Sequence, residues 1–256
     1  MFNLNINSLV NPFSSKENAY EYLKNNFIPI DIFIEEATKY NLIEPNIEDL
    51  ARLHYICMST KPNSILEFGC GFSSYIFHNY LSNFSTNYSK NSTNLLQIFE
   101  VHEKFLEIST KRFNKSSNNV VIKTSVCNIV KDVSRDDGSH YYEGDINFIP
   151  QLIYLDGPSH HDIPYANFDK NIYSTQFGFM RPPISSDILK IESWLEPGTI
   201  LLIDGRTANT RYLKNKLSRN WNWTESKDSR FNFAILNENP LGNYSSKILE
   251  ERGFIK

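Results

Sequence analysis

The stretch Ser64-Ile65-Leu66-Glu67-Phe68-Gly69-Cys70-Gly71-Phe72-Ser73-Ser74 constrains this chain more than any other. Pro62 and Asn63 break the chain before it, and Ile65, Leu66 and Phe68 then supply the short apolar run of a buried strand. Gly69 and Gly71 let the backbone turn sharply and approach a ligand with no Cβ in the way. Ser73 or Ser74 can cap the helix that carries Tyr75, Ile76, Phe77 and Tyr80. The two glycines match the start of the dinucleotide fingerprint, but Ser74 stands where its third glycine belongs. Glu67 is more telling. A carboxylate at the end of an apolar strand is costly unless something pairs with it. It would repel a diphosphate and hold an ammonium group. The plain alternative is an ordinary strand–turn–helix corner with an exposed Glu.

Two further strands should end the same way. Gln151-Leu152-Ile153-Tyr154-Leu155-Asp156-Gly157 and Thr199-Ile200-Leu201-Leu202-Ile203-Asp204-Gly205 each run from apolar residues into an acid and a glycine. Leu95 to His102 is a third apolar run, with Glu100 near its end; Glu103 takes that place if the strand is shorter. An acid after a second strand accepts hydrogen bonds from ribose hydroxyls, usually ~20 residues beyond the glycines. Here the gap from Gly71 is 100 − 71 = 29, and the polar loop Leu81 to Asn94 accounts for the excess. Ligands of open α/β sheets bind at the carboxyl ends of the strands, so these acids point to one site.

The segment 65–71, hydrophobic-x-Glu-x-Gly-x-Gly, resembles motif I of the class I S-adenosylmethionine (SAM)-dependent methyltransferases. Tyr154-Leu155-Asp156-Gly157 with His160 beyond it resembles a signature of small-molecule O-methyltransferase branches, and Leu195-Glu196-Pro197-Gly198 before Asp204 resembles the family's fifth-strand region. The resemblance covers about residues 62–237. It implies an α/β, Rossmann-like sheet of seven mostly parallel strands, the last antiparallel, with helices on both faces. It also implies SAM as cofactor, with Glu67 near the methionine amino end and Gly69, Cys70, Gly71, Ser73 and Ser74 around the ligand. Glu100 and Val101 would meet the ribose, Ser125-Val126-Cys127 the adenine edge, and Asp156 the cofactor and the reacting centre. His160 is the candidate base, with His161 beside it, because imidazole is neutral and basic near pH 7. Some O-methyltransferases of this fold also bind Mg²⁺. Asp156 and Asp204 would be its ligands, although Gly205 follows Asp204 where a second acid or amide is wanted; Asp162 or Asn209 could substitute in space.

Around this core, residues 1–60 read as an N-terminal helical extension or lid, with helices over 16–26, 30–40 and 47–59, and 61–256 as the methyltransferase domain. Helices are also predicted over 104–113, 186–195 and 209–219, the last with a solvated basic face of Arg211, Lys214, Lys216 and Arg219. A strand is predicted over 120–124, an exposed polar loop over 132–145, and a terminal strand pair over 221–224 and 231–236. The aromatic segment of about 159–185 is a candidate acceptor-binding insertion.

A net charge of −3 gives no global attraction to nucleic acid or to an anionic membrane. No apolar run is long enough to span a bilayer, and Met1 to Val10 does not resemble a secretion leader. Three widely spaced cysteines, Cys57, Cys70 and Cys127, lead to an expectation of reduced thiols in a cytoplasm. The expected partner is a small-molecule acceptor, and a homo-oligomer stays open. Two rivals remain at this point: an NAD-type oxidoreductase, and a methyltransferase-like binding or assembly subunit without catalysis.

Overall fold

The computed structural model describes residues 2, 4–85, 93–113, 119–157, 186–227 and 230–256. Four helices come first: α1 (Ile6–Val10), α2 (Lys16–Asn25), α3 (Ile30–Tyr40) and α4 (Ile47–Thr60). Asn5, Ser15 and Asn46 cap three of them by accepting backbone N–H bonds from the first turn. Then follow β1 (Ser64–Phe68), α5 (Phe72–Asn83), β2 (Asn94–Glu100), α6 (Glu103–Lys111) and β3 (Val120–Val126). A short hairpin, β4 (Ile129–Lys131) and β5 (His140–Tyr142), leads to β6 (Leu152–Leu155). The chain continues through α7 (Ser186–Ile191), a 3₁₀ turn (Glu192–Trp194), β7 (Ile200–Asp204), α8 (Thr207–Lys216), β8 (Trp221–Glu225), β9 (Phe231–Leu236) and α9 (Asn243–Glu251).

Seven strands form one sheet in the order β3-β2-β1-β6-β7-β9-β8. The first five of that order run parallel, while β9 lies antiparallel to both of its neighbours, β7 and β8. The architecture is the Rossmann-like one expected. Because side chains alternate across a strand, Ile65, Leu96, Ile98, Tyr154 and Leu202 pack on one face under α1–α5, while Leu66, Phe68, Ile153, Leu155 and Ile203 pack on the other against α7 and α8. The N-terminal helices therefore share one apolar core with α5 and the sheet. At the far end Arg252 is buried, donates from Nε to the Thr60 carbonyl at 2.9 Å, and ties the tail to the end of α4.

Several local expectations are corrected. Residues 132–145 are not simply an exposed loop: His140–Tyr142 is a strand, and Ser139, His140 and Tyr142 are buried. Leu81 belongs to α5 and Asn94 opens β2, where its buried amide donates to the Leu81 carbonyl at 2.9 Å. The strand predicted to end at Thr124 reaches Val126. The helix predicted over 186–195 tightens to a 3₁₀ turn after Ile191, which leaves Trp194 exposed. The helix predicted over 209–219 ends at Lys216, and Arg219 is not part of a solvated face. It pairs with Glu238 and donates to the Glu192 carbonyl, gathering the loop ends beside Trp221. No helix among the described residues is long and apolar enough to cross a membrane. His160, His161, Asp162 and the segment 159–185 lie outside the described residues.

Candidate functional site

Strand parity decides which residues meet. Glu67 is two positions beyond Ile65, Glu100 two beyond Ile98, Asp156 two beyond Tyr154 and Asp204 two beyond Leu202. Each acid thus takes the sheet face of that apolar partner, the face covered by α1–α5, at the carboxyl ends of four adjacent strands. The acids expected from their separate motifs do converge.

Glu67 is completely buried, so the exposed-corner alternative is excluded. Ser73 Oγ donates to its Oε1 at 2.6 Å, while its buried Oε2 has no hydrogen-bond partner among the described residues. Burial, opposed by bonding from Ser73 and Ser74 and helped by the nearby Asp156 and Glu100 charges, pushes the carboxyl up to about 8. An unpartnered buried carboxylate oxygen is costly, and a bound cation is one way to satisfy it.

The glycine turn has two different jobs. Gly69 has a φ of 87°, and a Cβ on it would lie 2.6 Å from the backbone of Gly157, so the ends of β1 and β6 can cross only as two glycines. Asp156 and Gly157 both donate N–H bonds to the Phe68 carbonyl at this crossing, at 3.0 and 2.7 Å. Gly71 is extended, and a Cβ there would meet nothing within 4 Å, so what it offers is open room over the turn. The two serines also divide. Ser74 accepts from Gly71 N at 3.2 Å and caps α5, whereas Ser73 turns in to Glu67.

Glu100 clasps the turn from β2. Its Oε2 accepts from Cys70 N at 2.9 Å, and its Oε1 accepts from Val101 N at 2.7 Å and His102 N at 3.0 Å. Three backbone donors leave a carboxylate about one further accepting position for a ligand. Val101 is half-buried against the second core. Cys70 is half-buried with Sγ 3.5 Å from Ser109 Oγ, and burial pushes its thiol well up, so it is no thiolate nucleophile. Ser125 and Val126 lie within β3 rather than after it, and Cys127 donates its N–H to the Glu100 carbonyl at 2.8 Å.

At the other strand ends Asp156 keeps a side chain about 47 % exposed, at the mouth of the site. Surrounding protein still pushes its carboxyl up to about 6, against the pull of Arg206. Asp204 is half-buried and accepts from Tyr154 Oη at 3.4 Å; burial, then the Asp156 and Asp49 charges, push it up to about 7. Asp49 comes from the first turn of α4 and is held by Arg52, which stacks over Phe231 and donates to the Val10 carbonyl. Among the described residues no group of three or more His, Cys, Asp or Glu could hold a metal ion. Asn209 is buried on α8.

Sequence reasoning missed Asp49, Arg206 and Tyr142. Asp49 looks like any first-turn helix acid, and Arg206 like any surface charge. Tyr142 sits in a hairpin too short and polar to signal a strand. Its buried hydroxyl has no hydrogen-bond partner and would stand 2.7 Å from a Cβ on Gly157, beneath the crossing. Asp187 holds Tyr142 there by accepting from its N–H with both oxygens, at 3.1 and 3.2 Å. A cavity of about 320 Å³ between Ser64, Gln151, Glu196 and α9 lies at the opposite, amino ends of β1 and β6, away from these groups.

Arg112 joins the N-terminal helices to the turn. Its Nε donates to Glu36 of α3 at 2.6 Å, its Nη1 to the Gly71 carbonyl at 3.4 Å, and its guanidinium stacks 4.3 Å from the Phe72 ring. With the Arg112 side chain 5 % exposed, Arg112→Ala is expected to cost about 2–3 kcal/mol, because it strips a partly buried pair and a stacking contact. Urea unfolding of both proteins checks this; a loss below about 0.5 kcal/mol would mean the contact is incidental.

A scan against protein-family models finds no match for this chain, and a search of curated proteins finds none either. Among solved structures, the chain is similar to the O-methyltransferase TomG from Streptomyces achromogenes, in complex with SAM, at 11% identity over 82% of this chain and 89% of that one, with a TM-score of 0.45. It is similar to the O-methyltransferase from Bacillus cereus, in complex with S-adenosylhomocysteine (SAH), at 13% identity over 85% and 96%, with a TM-score of 0.48. It is also similar to the SAH-bound methyltransferase PaMTH1 of Podospora anserina, at 13% identity over 86% and 88%, with a TM-score of 0.47.

Proposed function

We propose that this protein is a SAM-dependent methyltransferase acting on a small molecule, through oxygen rather than nitrogen. One observation carries the reading: Glu67, fully buried at the end of β1 beside an open glycine turn, has a carboxylate oxygen with no partner among the described residues. A ligand that brings an ammonium group satisfies it. Glu100, Asp156 and Glu67 together form an acidic rim that disfavours the diphosphate of a dinucleotide, which counts against the oxidoreductase alternative. They fit a cationic ligand, which also favours a working site over an assembly subunit that has lost its ligand.

Bound SAM supplies an electrophilic methyl group. The chain has to hold that methyl in line with the acceptor oxygen and keep water out, and orientation of this kind can supply ~7–11 kcal/mol. Glu67 orients the amino end, the Gly69–Gly71 turn sets the depth, and the remaining accepting position of Glu100 takes a ribose hydroxyl. His160 is our candidate for the base that removes the acceptor proton, a contribution of about 10²–10⁴ in rate. Residues 1–60 act as cover over the site. The cytoplasm fits as compartment because all three cysteines are unpaired.

Calorimetric titration with SAH tests this. Wild type is expected to bind in the micromolar range at pH 7 and to release about one proton, because Glu67 enters the complex ionised; the same titration in two buffers of different ionisation enthalpy reads that proton. Folded protein that binds NADH and not SAH, or neither, overturns the reading.

A further inference from the structure

The two carboxylates that a metal would need already have partners within the protein, Arg206 beside Asp156 and the Tyr154 hydroxyl on Asp204. Leu155 and Ile203 pair in register, so Asp156 and Asp204, each the next residue along, stand at neighbouring strand ends. Gly205 follows with a φ of 59° and its N–H on the Arg230 carbonyl at 2.7 Å. That left-handed step, which glycine takes without strain, reverses the chain so that Arg206 comes back across the end of β6. Its Nη2 donates to the Asp156 main-chain oxygen and lies 3.8 Å from Asp156 Oδ1. On the other flank Tyr154 Oη donates to Asp204, and Asp49, the nearest additional carboxylate, is taken by Arg52. Among the described residues, Arg52 and Arg206 offset part of the negative charge that Asp49, Asp156 and Asp204 bring to these strand ends. A divalent ion at the end of β6 would have to compete with the Arg206 guanidinium for the Asp156 oxygens.

We propose that Arg206 is the resident cation of this site: a positioning residue that fixes the Asp156–Gly157 turn and takes the electrostatic place of a divalent metal, so that methyl transfer here runs without one. This rests on the methyltransferase reading for the word transfer alone; the exclusion of a metal by Arg206 stands on the geometry.

Mn²⁺ binding followed by electron paramagnetic resonance tests it, on wild type, Arg206→Ala, Arg206→Lys and the double variant Arg206→Ala/Asp204→Asn. Wild type and Arg206→Lys are expected to leave Mn²⁺ free at millimolar concentration. Arg206→Ala is expected to bind at least tenfold more tightly than wild type, and the double variant to lose that gain. Micromolar binding by wild type that disappears in Asp204→Asn overturns the proposal, as does an Arg206→Ala protein, folded by circular dichroism, with no gain. SAH titration of the wild type in EDTA is read separately: its failure removes the methyltransferase reading and leaves the Mn²⁺ result to judge Arg206.

Discussion

Glu67→Gln is expected to stabilise the protein while disabling its ligand site. In the unfolded chain this carboxyl ionises at its ordinary value of 4.5, but burial in the fold holds it protonated up to about 8. Between those two values the folded state carries a proton that the unfolded state has released, so stability falls as pH rises through the window and the loss is complete above it. At pH 7 the span is 7 − 4.5 = 2.5 units, or about 3 kcal/mol at ~1.36 kcal/mol per unit. Glutamine ionises in neither state and can still accept the Ser73 hydroxyl hydrogen bond. Thermal melts should show the variant roughly 6–12 °C above wild type at pH 7, with the gap shrinking toward pH 5. SAH affinity should fall about 100-fold, because the charge that meets the ammonium is gone. A variant no more stable than wild type at pH 8 would show that Glu67 already has a partner in the ligand-free fold.

Gly157→Ala is expected to destabilise the fold strongly. Its Cβ would lie 2.3 Å from Gly69 Cα and 2.7 Å from the Tyr142 hydroxyl, and neither can give way. Gly69 is fixed by its hydrogen bond to the Phe99 carbonyl, and Tyr142 by the grip of Asp187 on its backbone. Gly69→Ala meets the same wall from the other side and adds a left-handed φ. Overpacking of this kind costs ~1–3 kcal/mol and the backbone strain at Gly69 ~1–2 more, so losses of about 1–3 kcal/mol for Gly157→Ala and about 2–5 kcal/mol for Gly69→Ala are expected by denaturant unfolding. Gly71→Ala, with open space around it, is the control: its stability should change by less than about 1 kcal/mol while SAH binding weakens. If Gly71→Ala unfolds the protein and Gly157→Ala does not, the crossing has been misassigned.

The strands that build the site were legible because each is a short apolar run with its own punctuation. Proline and asparagine stand before β1, and a glycine follows the acid of β6 and β7. Errors fell where tertiary contact overrides local pattern. The β4–β5 hairpin is polar in sequence yet buried, because Asp187 and Ser186 of α7 bond to its backbone from 45 and 46 residues away. Arg219 reads as one more basic residue of a helix until Glu238, 19 residues on, draws it into an ion pair. Trp194 sits on the apolar side of a helical projection, but the turn tightens to 3₁₀ after Ile191 and aims it outward.

The amino-acid pattern alone determined the strand–glycine–helix corner and the acids that close β1, β2, β6 and β7, because strand periodicity and glycine's freedom are local properties of the chain, while the sheet class came from the family resemblance. Only the folded structure decided what those acids do. Glu67 is buried with an oxygen that no described residue bonds, three backbone N–H donors make Glu100 a clasp, and Arg206 returns across the end of β6 to Asp156. Each of these depends on groups brought together from distant parts of the chain, and the charge and desolvation they impose are not written in any one segment.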